Sequence, residues 1–163
     1  MKKLILLVIV IIVLAVLIMP RPGVVIDLDC IIEIESSGNQ NAVNEKSGAR
    51  GLCQITQKTW DECTRQLKEN WDWSEAFDPD KNRVIGEYYM NERIPQMLKH
   101  DQLPDTIETR LAAYKWDLGN ILKLYLQYGT RWQEHVPTEI QNYIKKYGEL
   151  VALKKKGIPF QSH

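Results

Sequence analysis

The chain has 163 residues, and its 21 Lys and Arg residues balance 21 Asp and Glu residues, so the formal net charge at pH 7 is zero. This length favours one domain with a single core, and the interspersed charges exclude the basic stripe of a nucleic-acid-binding protein. Three widely spaced histidines and three cysteines without CxxC spacing give little support for a metal site, and we expect no cofactor.

The first 20 residues are predicted to direct the chain to a membrane. Two lysines precede sixteen uncharged apolar residues at 4–19, and Pro20 ends the run. A helix of that length spans roughly 24 Å, which is short for a membrane span and long for the core of a signal peptide. Because a small-x-small cleavage site does not follow, we interpret residues 1–20 as an uncleaved signal anchor, that is, a transmembrane helix. A cleaved signal peptide is the alternative.

Either interpretation places the rest of the chain outside the cytoplasm. In a bacterial cell this is the periplasmic side of the inner membrane. For a viral protein, the membrane would be that of the virion. We predict a short linker at residues 21–26, one domain at 27–155 and a C-terminal tail at 156–163. Apolar positions recur with helical spacing and strand-like alternation is lacking, so the predicted fold class is mainly α.

The first helix of the domain is predicted over residues 24–36, with Asp27 as its N-cap. Four of its side chains fall on one face: Leu28, Ile31, Ile32 and Glu35. Glu35 therefore continues an apolar stripe, where the loss of hydration disfavours a charged carboxylate. This position makes Glu35 a candidate general acid.

A polar loop and a group of small residues follow this helix. Gly38 is suited to the left-handed conformation that ends a helix. Gly48, Ala49 and Gly51 supply small side chains where another group must approach the backbone closely.

A second helix is predicted over residues 56–69, with Trp60 and Cys63 on its inner face. Three cysteines outside the cytoplasm allow one internal disulfide at most, and buried free thiols are the other interpretation. Residues 70–77 place Trp71, Trp73 and Phe77 among acidic residues. They form either a surface on which sugars stack or a loop held by aromatic packing, and the second interpretation is favoured.

Later helix starts are predicted at three places. Asp78 followed by proline indicates an N-cap, and Pro95 should end or kink the helix that begins there. Asp105 with Glu108, and Thr138 with Gln141, have the spacing of capping boxes. The helix after Asp105 should turn Ile107, Leu111 and Tyr114 to one face. The last helix has four apolar or aromatic side chains on one face: Ile140, Tyr143, Ile144 and Tyr147.

Several segments together resemble the lytic transglycosylases of the soluble lytic transglycosylase (SLT) family, relatives of goose-type lysozyme. They are ESSGN with SGARGLCQI at residues 35–55, DPDKNRVIGEYYM at 78–90, AAYKWDLGN at 112–120 and VPTEIQNYIKKY at 136–147. The resemblance covers roughly residues 24–147 and implies a single lysozyme-like domain of the goose type. Lys115, Asp117 and Leu118 depart from the family form AAYNWGPGN.

The resemblance implies cleavage of the β-1,4 bond between N-acetylmuramic acid and N-acetylglucosamine in peptidoglycan, leaving 1,6-anhydro ends. Glu35 would act first as the acid and then as the base. Substrate contacts are implied for four residues: Ser36, Asn44, Gln54 and Tyr114. Asn44 stands where many members have serine, and Cys53 stands where methionine is usual.

Glycosidases normally use two carboxylates, and this chain offers one obvious candidate. The alternatives are therefore a lysozyme-like muramidase, which would need a second carboxylate such as Glu45 or Asp61, and a non-catalytic peptidoglycan-binding or assembly protein. The expected partners are peptidoglycan glycan strands, the membrane through the N-terminal helix, and a phage or a secretion or conjugation apparatus. No nucleic-acid partner is expected.

Overall fold

The computed structural model describes residues 23–160, and this part of the chain is helical. Its α-helices are α1 Leu28–Ser36, α2 Gln57–Leu67, α3 Pro79–Tyr88, α4 Ile94–His100, α5 Ile107–Trp116, α6 Leu118–Tyr128 and α7 Thr138–Lys155. Short 3-10 helices lie at Trp73–Phe77 and Gly129–His135, and a π-helical turn lies at Tyr89–Arg93. Between residues 23 and 160 the β-structure is limited to isolated bridges of Arg50 with Val43 and Ile55. The predicted mainly α class is confirmed.

The predicted membrane anchor at residues 1–20 lies outside the described residues. Within residues 23–160, no helix combines the length and apolar character needed to cross a membrane.

Helix α1 is held at its start by the predicted N-cap. The Asp27 carboxylate accepts a hydrogen bond from the Asp29 amide at 3.1 Å. The backbone of Asp27 is extended, with φ −75° and ψ 107°, so the helix starts at Leu28 and not at residue 24. The ammonium of Lys154, in α7, lies 2.9 Å from a carboxylate oxygen of Asp29. Hydrogen bonds from Lys154 and then Arg83 lower the pKa of Asp29, so these contacts favour the ionised form.

The core lies between α1, α3, α5 and α7. Helix α1 contributes Ile31 and Cys30, which are both fully buried, and α5 contributes Leu111 and Ala112. Burial of one large aliphatic side chain stabilises the fold by roughly 1.5–3 kcal/mol. Since α1 packs against α7 and α5 packs against α7 as well, the end of α1 is brought close to the end of α5.

Asn82, in α3, joins the loop at residues 50–53 to the 3-10 helix Trp73–Phe77. Its side chain is fully buried, its Nδ2 donates to the carbonyl oxygens of Arg50 at 3.1 Å and Ala76 at 2.8 Å, and its Oδ1 accepts from the Cys53 amide at 2.8 Å. Gly51 is required beside it, because a Cβ at that position would lie 2.3 Å from Asn82 Nδ2. These contacts fix the loop that precedes α2.

Two predicted capping boxes are wrong: Asp105 with Glu108, and Thr138 with Gln141. Helix α5 is capped by Thr106, whose Oγ1 accepts from the Thr109 amide at 3.2 Å. Asp105 instead forms a two-point ion pair with Arg110, at 2.6 and 2.8 Å, because this buried guanidinium needs a partner.

Helix α7 begins at Thr138 without a side-chain cap. The Gln141 side chain donates to the Val136 carbonyl oxygen at 3.0 Å, so it binds the segment before the helix and does not complete a box.

Two other expectations about the helices need correction. Pro95 does not end the helical path, which continues from α3 through the π-helical turn Tyr89–Arg93, and Pro95 lies in the first turn of α4. Ile107 does not share a buried face with Leu111, since it is 40 % exposed at the start of α5.

The three cysteines are buried free thiols. Burial raises the pKa of Cys53 and of Cys63 to about 12 and that of Cys30 to about 11. These side chains are therefore neutral at physiological pH and act as small apolar residues in the core.

The aromatic segment before α3 packs onto Trp60. The ring centroids of Trp71 and Trp73 lie 6.2 and 6.0 Å from that of Trp60, which is fully buried. The Arg50 guanidinium lies 4.6 Å from the Trp73 ring centroid. This packing supports the interpretation as a loop held by its aromatic residues.

Candidate active site

Glu35 lies in the last turn of α1, and only 7 % of its side chain is exposed. A buried carboxylate needs a specific partner, which α5 supplies, and α7 places a tyrosine nearby.

The partner is Lys115, in the last turn of α5. Its ammonium lies 3.2 Å from Glu35 Oε2 and 3.4 Å from Oε1, so it contacts both carboxylate oxygens. The same ammonium is 5.3 Å from the ring centroid of Tyr143, a cation–π distance. Lys115 thus gives the buried carboxylate of Glu35 a charged partner.

The neighbouring tyrosine is Tyr143, from α7. This side chain is 5 % exposed, and its buried hydroxyl has no hydrogen-bond partner of normal geometry within the described part of the chain. Burial raises the pKa of Tyr143 well above its ordinary value, and the negative charge of the nearby Glu35 adds to this effect. A neutral hydroxyl facing a carboxylate can donate a hydrogen bond to it, or to a ligand that lies between them.

Tyr114, next to Lys115 in the sequence, contacts the loop before α2. Its hydroxyl donates to the Cys53 carbonyl oxygen. Burial raises its pKa well above the ordinary tyrosine value, with smaller contributions from Cys53, Tyr143 and Glu35. The structure therefore brings Tyr114 near Glu35, but its hydroxyl anchors the loop.

Three other predicted site residues are held by local hydrogen bonds. Ser36 Oγ donates to the Ile32 carbonyl oxygen at 3.1 Å. The Asn44 Oδ1 accepts from the amides of the following turn, at 3.0 and 3.1 Å. Gln54 Nε2 donates to two carbonyl oxygens of its own loop, at 3.1 and 3.0 Å. Each side chain keeps spare hydrogen-bonding capacity, so the substrate contacts of Ser36, Asn44 and Gln54 stay predictions.

A groove of about 400 Å³ runs beside Lys115 and Tyr114. Helices α2 and α5, together with Tyr89, Met97 and the start of α6, form its walls. Its lining residues are Thr56, Lys58, Thr59, Glu62, Tyr89, Met97, Ala113, Tyr114, Lys115, Trp116, Asp117 and Leu118. Within residues 23–160 no group of three His, Cys, Asp or Glu side chains is placed to hold a metal ion.

A model of the transglycosylase SLT domain family matches residues 27–135, about two thirds of the chain. The chain belongs to this family. Comparisons with curated proteins and with solved structures gave no match. The matched range of the SLT domain starts at the N-cap of α1 and includes Glu35, Lys115 and the whole groove.

Membership of the SLT family supports transglycosylase activity on peptidoglycan, and therefore a binding site for peptidoglycan. The helical architecture agrees with a lysozyme-like SLT domain. Tyr143 lies beyond the matched range, and the apolar periodicity of α7 assigned it to the core. The signal that could have identified it was its place in the closing segment VPTEIQNYIKKY, where the tyrosine matches the family form. Sequence reasoning noted Lys115 as a departure from the family form but not as a neighbour of Glu35.

Proposed function

We propose that this SLT-domain protein is a peptidoglycan lytic transglycosylase that cleaves the bond between N-acetylmuramic acid and N-acetylglucosamine and leaves 1,6-anhydro ends. The observation that carries the proposal is the setting of Glu35. It is an almost fully buried carboxylate near Tyr143 and in contact with Lys115, which lines the groove.

In the first step, protonated Glu35 gives its proton to the leaving oxygen as the bond to the anomeric carbon breaks. The N-acetyl group of the muramyl sugar stabilises the positive charge that develops there. In the second step, the Glu35 carboxylate removes the proton of the muramyl 6-hydroxyl, whose oxygen forms the new bond to the anomeric carbon. Glu35 ends in its starting protonation state.

The residues around Glu35 suit both steps. After the first step and before the second, Glu35 is a carboxylate. The Lys115 ammonium, 3.2 Å from Glu35 Oε2, can donate a charge-assisted hydrogen bond to it. The Tyr143 hydroxyl can donate to the same carboxylate. Ser36, Asn44, Gln54 and Tyr114 would position the sugar through the hydrogen-bonding capacity that their loop contacts leave.

Attack by the internal hydroxyl is favoured over attack by water because an inverting hydrolase needs a second carboxylate as base. Glu45 and Asp61, the sequence candidates for that role, are both exposed. Glu62 lines the groove, but its carboxylate accepts a hydrogen bond from Arg93. A tethered hydroxyl needs only Glu35, and its proximity favours it over water.

Digestion of purified peptidoglycan, followed by mass spectrometry of the products, tests the reaction. We expect anhydromuramyl ends, which are lighter than hydrolytic products by one water and resist borohydride reduction. Reducing ends as the main product would show a muramidase instead. Binding to the wall without any cleavage would show an assembly protein.

We also propose that residues 1–20 anchor the protein in a membrane with the SLT domain outside the cytoplasm. The support is the apolar run at 4–19 behind two lysines. An anchored transglycosylase suits a phage or a secretion or conjugation apparatus that opens the wall locally. The full chain should stay with membranes through high-salt and alkaline washes. A soluble product with a new N-terminus near Gly23 would show a cleaved signal peptide.

A further inference from the structure

The ion pair between Lys115 and Glu35 joins two residues that are 80 positions apart, on α1 and α5. Lys115 stands where the family form AAYNWGPGN has asparagine, so this chain places a cation beside the proposed acid where that form has an uncharged amide.

The two side chains differ in their access to solvent. Glu35 is 7 % exposed, whereas 30 % of the Lys115 side chain is exposed. Lys115 also lines the groove of about 400 Å³, so its ammonium can be reached by a ligand there. A flexible four-carbon stem allows that ammonium to change partner without movement of the backbone.

The charged residues that line the groove are compatible with an anionic ligand. Its cations are Lys58 and Lys115, and its carboxylates are Glu62 and Asp117. Glu62 accepts a hydrogen bond from Arg93. Asp117 caps α6, with its Oδ1 accepting from the Gly119 amide at 2.6 Å. Both carboxylates are thus engaged within the protein. Lys58 and Lys115 also line the groove, and the partner of Lys115 is Glu35.

Muramyl strands differ from neutral N-acetylhexosamine polymers by a carboxyl-bearing substituent. The lactyl carboxyl is free in peptide-free strands, and in peptide-bearing strands the stem peptide supplies carboxylates. Given the proposed function, on which this inference rests, such a carboxylate would lie close to the bond that Glu35 protonates.

We propose that Lys115 is a specificity-determining residue that binds a carboxylate of the muramyl substituent, with Lys58 as a second cation of the same groove. On binding, the ammonium turns from Glu35 toward the substrate. This contact favours the binding of anionic strands. The protein therefore selects muramyl strands over neutral chitin-like ones.

The test compares glycan strands with and without negative charge. The full chain is given peptide-free strands with free lactyl carboxylates, the same strands with those groups converted to methylamides, peptide-bearing strands and neutral chitin oligomers. We expect kcat/KM to be about tenfold higher for charged than for neutralised strands, as one charge-assisted hydrogen bond would give. Added salt should reduce this ratio, because the contact lies at the mouth of a groove.

Variants identify the residue responsible. Lys115→Met should bring the ratio close to one, and Lys115→Arg should keep most of it. Lys123→Met is the matched control, since Lys123 is an exposed lysine of α6 that does not line the groove, and it should keep the full ratio. Lys115→Gln serves as a second variant if thermal melting shows that the methionine variant is unfolded. Preference only for peptide-free strands would assign the lactyl carboxylate, and preference only for peptide-bearing strands the stem peptide.

An unchanged ratio in Lys115→Met, or equal cleavage of charged and neutralised strands by the unmutated protein, would overturn the inference and leave the proposed reaction standing. Failure to cleave any strand would instead contradict the proposed function. In that case, charge selection is tested by binding alone: the Kd of the Glu35→Gln protein is measured for charged strands and for neutralised strands. Equal Kd values would overturn it.

Discussion

Glu35→Gln is expected to lower the rate of glycan cleavage by about 10²–10⁴-fold, the contribution of one general acid–base residue. Glutamine has nearly the same shape, but it can neither give a proton to the leaving oxygen nor accept one from the 6-hydroxyl. The loss should reach the upper part of this range, because one carboxylate serves both steps. The measurement is the release of anhydromuramyl products.

The same substitution should leave the fold intact. The amide oxygen can still accept a hydrogen bond from Lys115, and that ammonium is 30 % exposed and can reach water. We expect the free energy of unfolding to change by less than about 1 kcal/mol, as for a partly exposed ion pair. Thermal melting of both proteins checks this.

Glu33→Gln is the matched control, since Glu33 lies on the same helix. It borders a different cavity, near Lys146 and Phe160, and should therefore leave the rate almost unchanged. Comparable losses from both substitutions, or full activity in Glu35→Gln, would contradict the assignment of Glu35.

Asn82→Ala is expected to destabilise the domain by about 3–5 kcal/mol. Three buried backbone groups would lose their partner: the amide of Cys53 and the carbonyl oxygens of Arg50 and Ala76. Each unsatisfied buried group costs about 1–3 kcal/mol, with partial relief where water can enter. The midpoint of thermal unfolding should fall by roughly 10 °C or more in a domain of this size.

Asn120→Ala provides the comparison. Its side chain makes one hydrogen bond, from Nδ2 to the Trp116 carbonyl oxygen at 3.0 Å, and it is half-buried. We expect a loss of about 1 kcal/mol. Equal losses from the two substitutions in denaturant unfolding would show that the three hydrogen bonds of the Asn82 side chain are not what stabilises the loop.

Loosening of this loop should also affect the site. Asn82 fixes the backbone at Cys53, whose carbonyl oxygen accepts the hydrogen bond of Tyr114. Below its melting temperature, Asn82→Ala protein should therefore cleave more slowly than Asn120→Ala protein.

The sequence by itself determined the features that depend on neighbouring residues. Helical periodicity predicted the mainly α class, and an aspartate, Asp27, before an apolar stripe predicted the N-cap of α1, which the structure confirms. The same stripe placed Glu35 on the inner side of α1. The order of the short motifs identified the SLT family, which the family model confirms.

Only the tertiary structure decided which distant side chains meet. From the local pattern alone, Lys115 could be a solvent-exposed lysine at the end of α5 or a neighbour of Glu35. It contacts Glu35 because α1 and α5 both pack on α7. Tyr143 fits an apolar stripe equally well as a core residue and as a neighbour of Glu35.

Competition between partners explains the predicted caps that failed. Asp105 has the spacing of a capping residue, but the buried guanidinium of Arg110 takes its carboxylate and leaves the cap to Thr106. Asn44 and Gln54 likewise hold their own loop. A local rule gives the bonds that a side chain can make, whereas the packed chain decides which of them are made, because a buried charge or amide without a partner costs more than an unused cap at the surface.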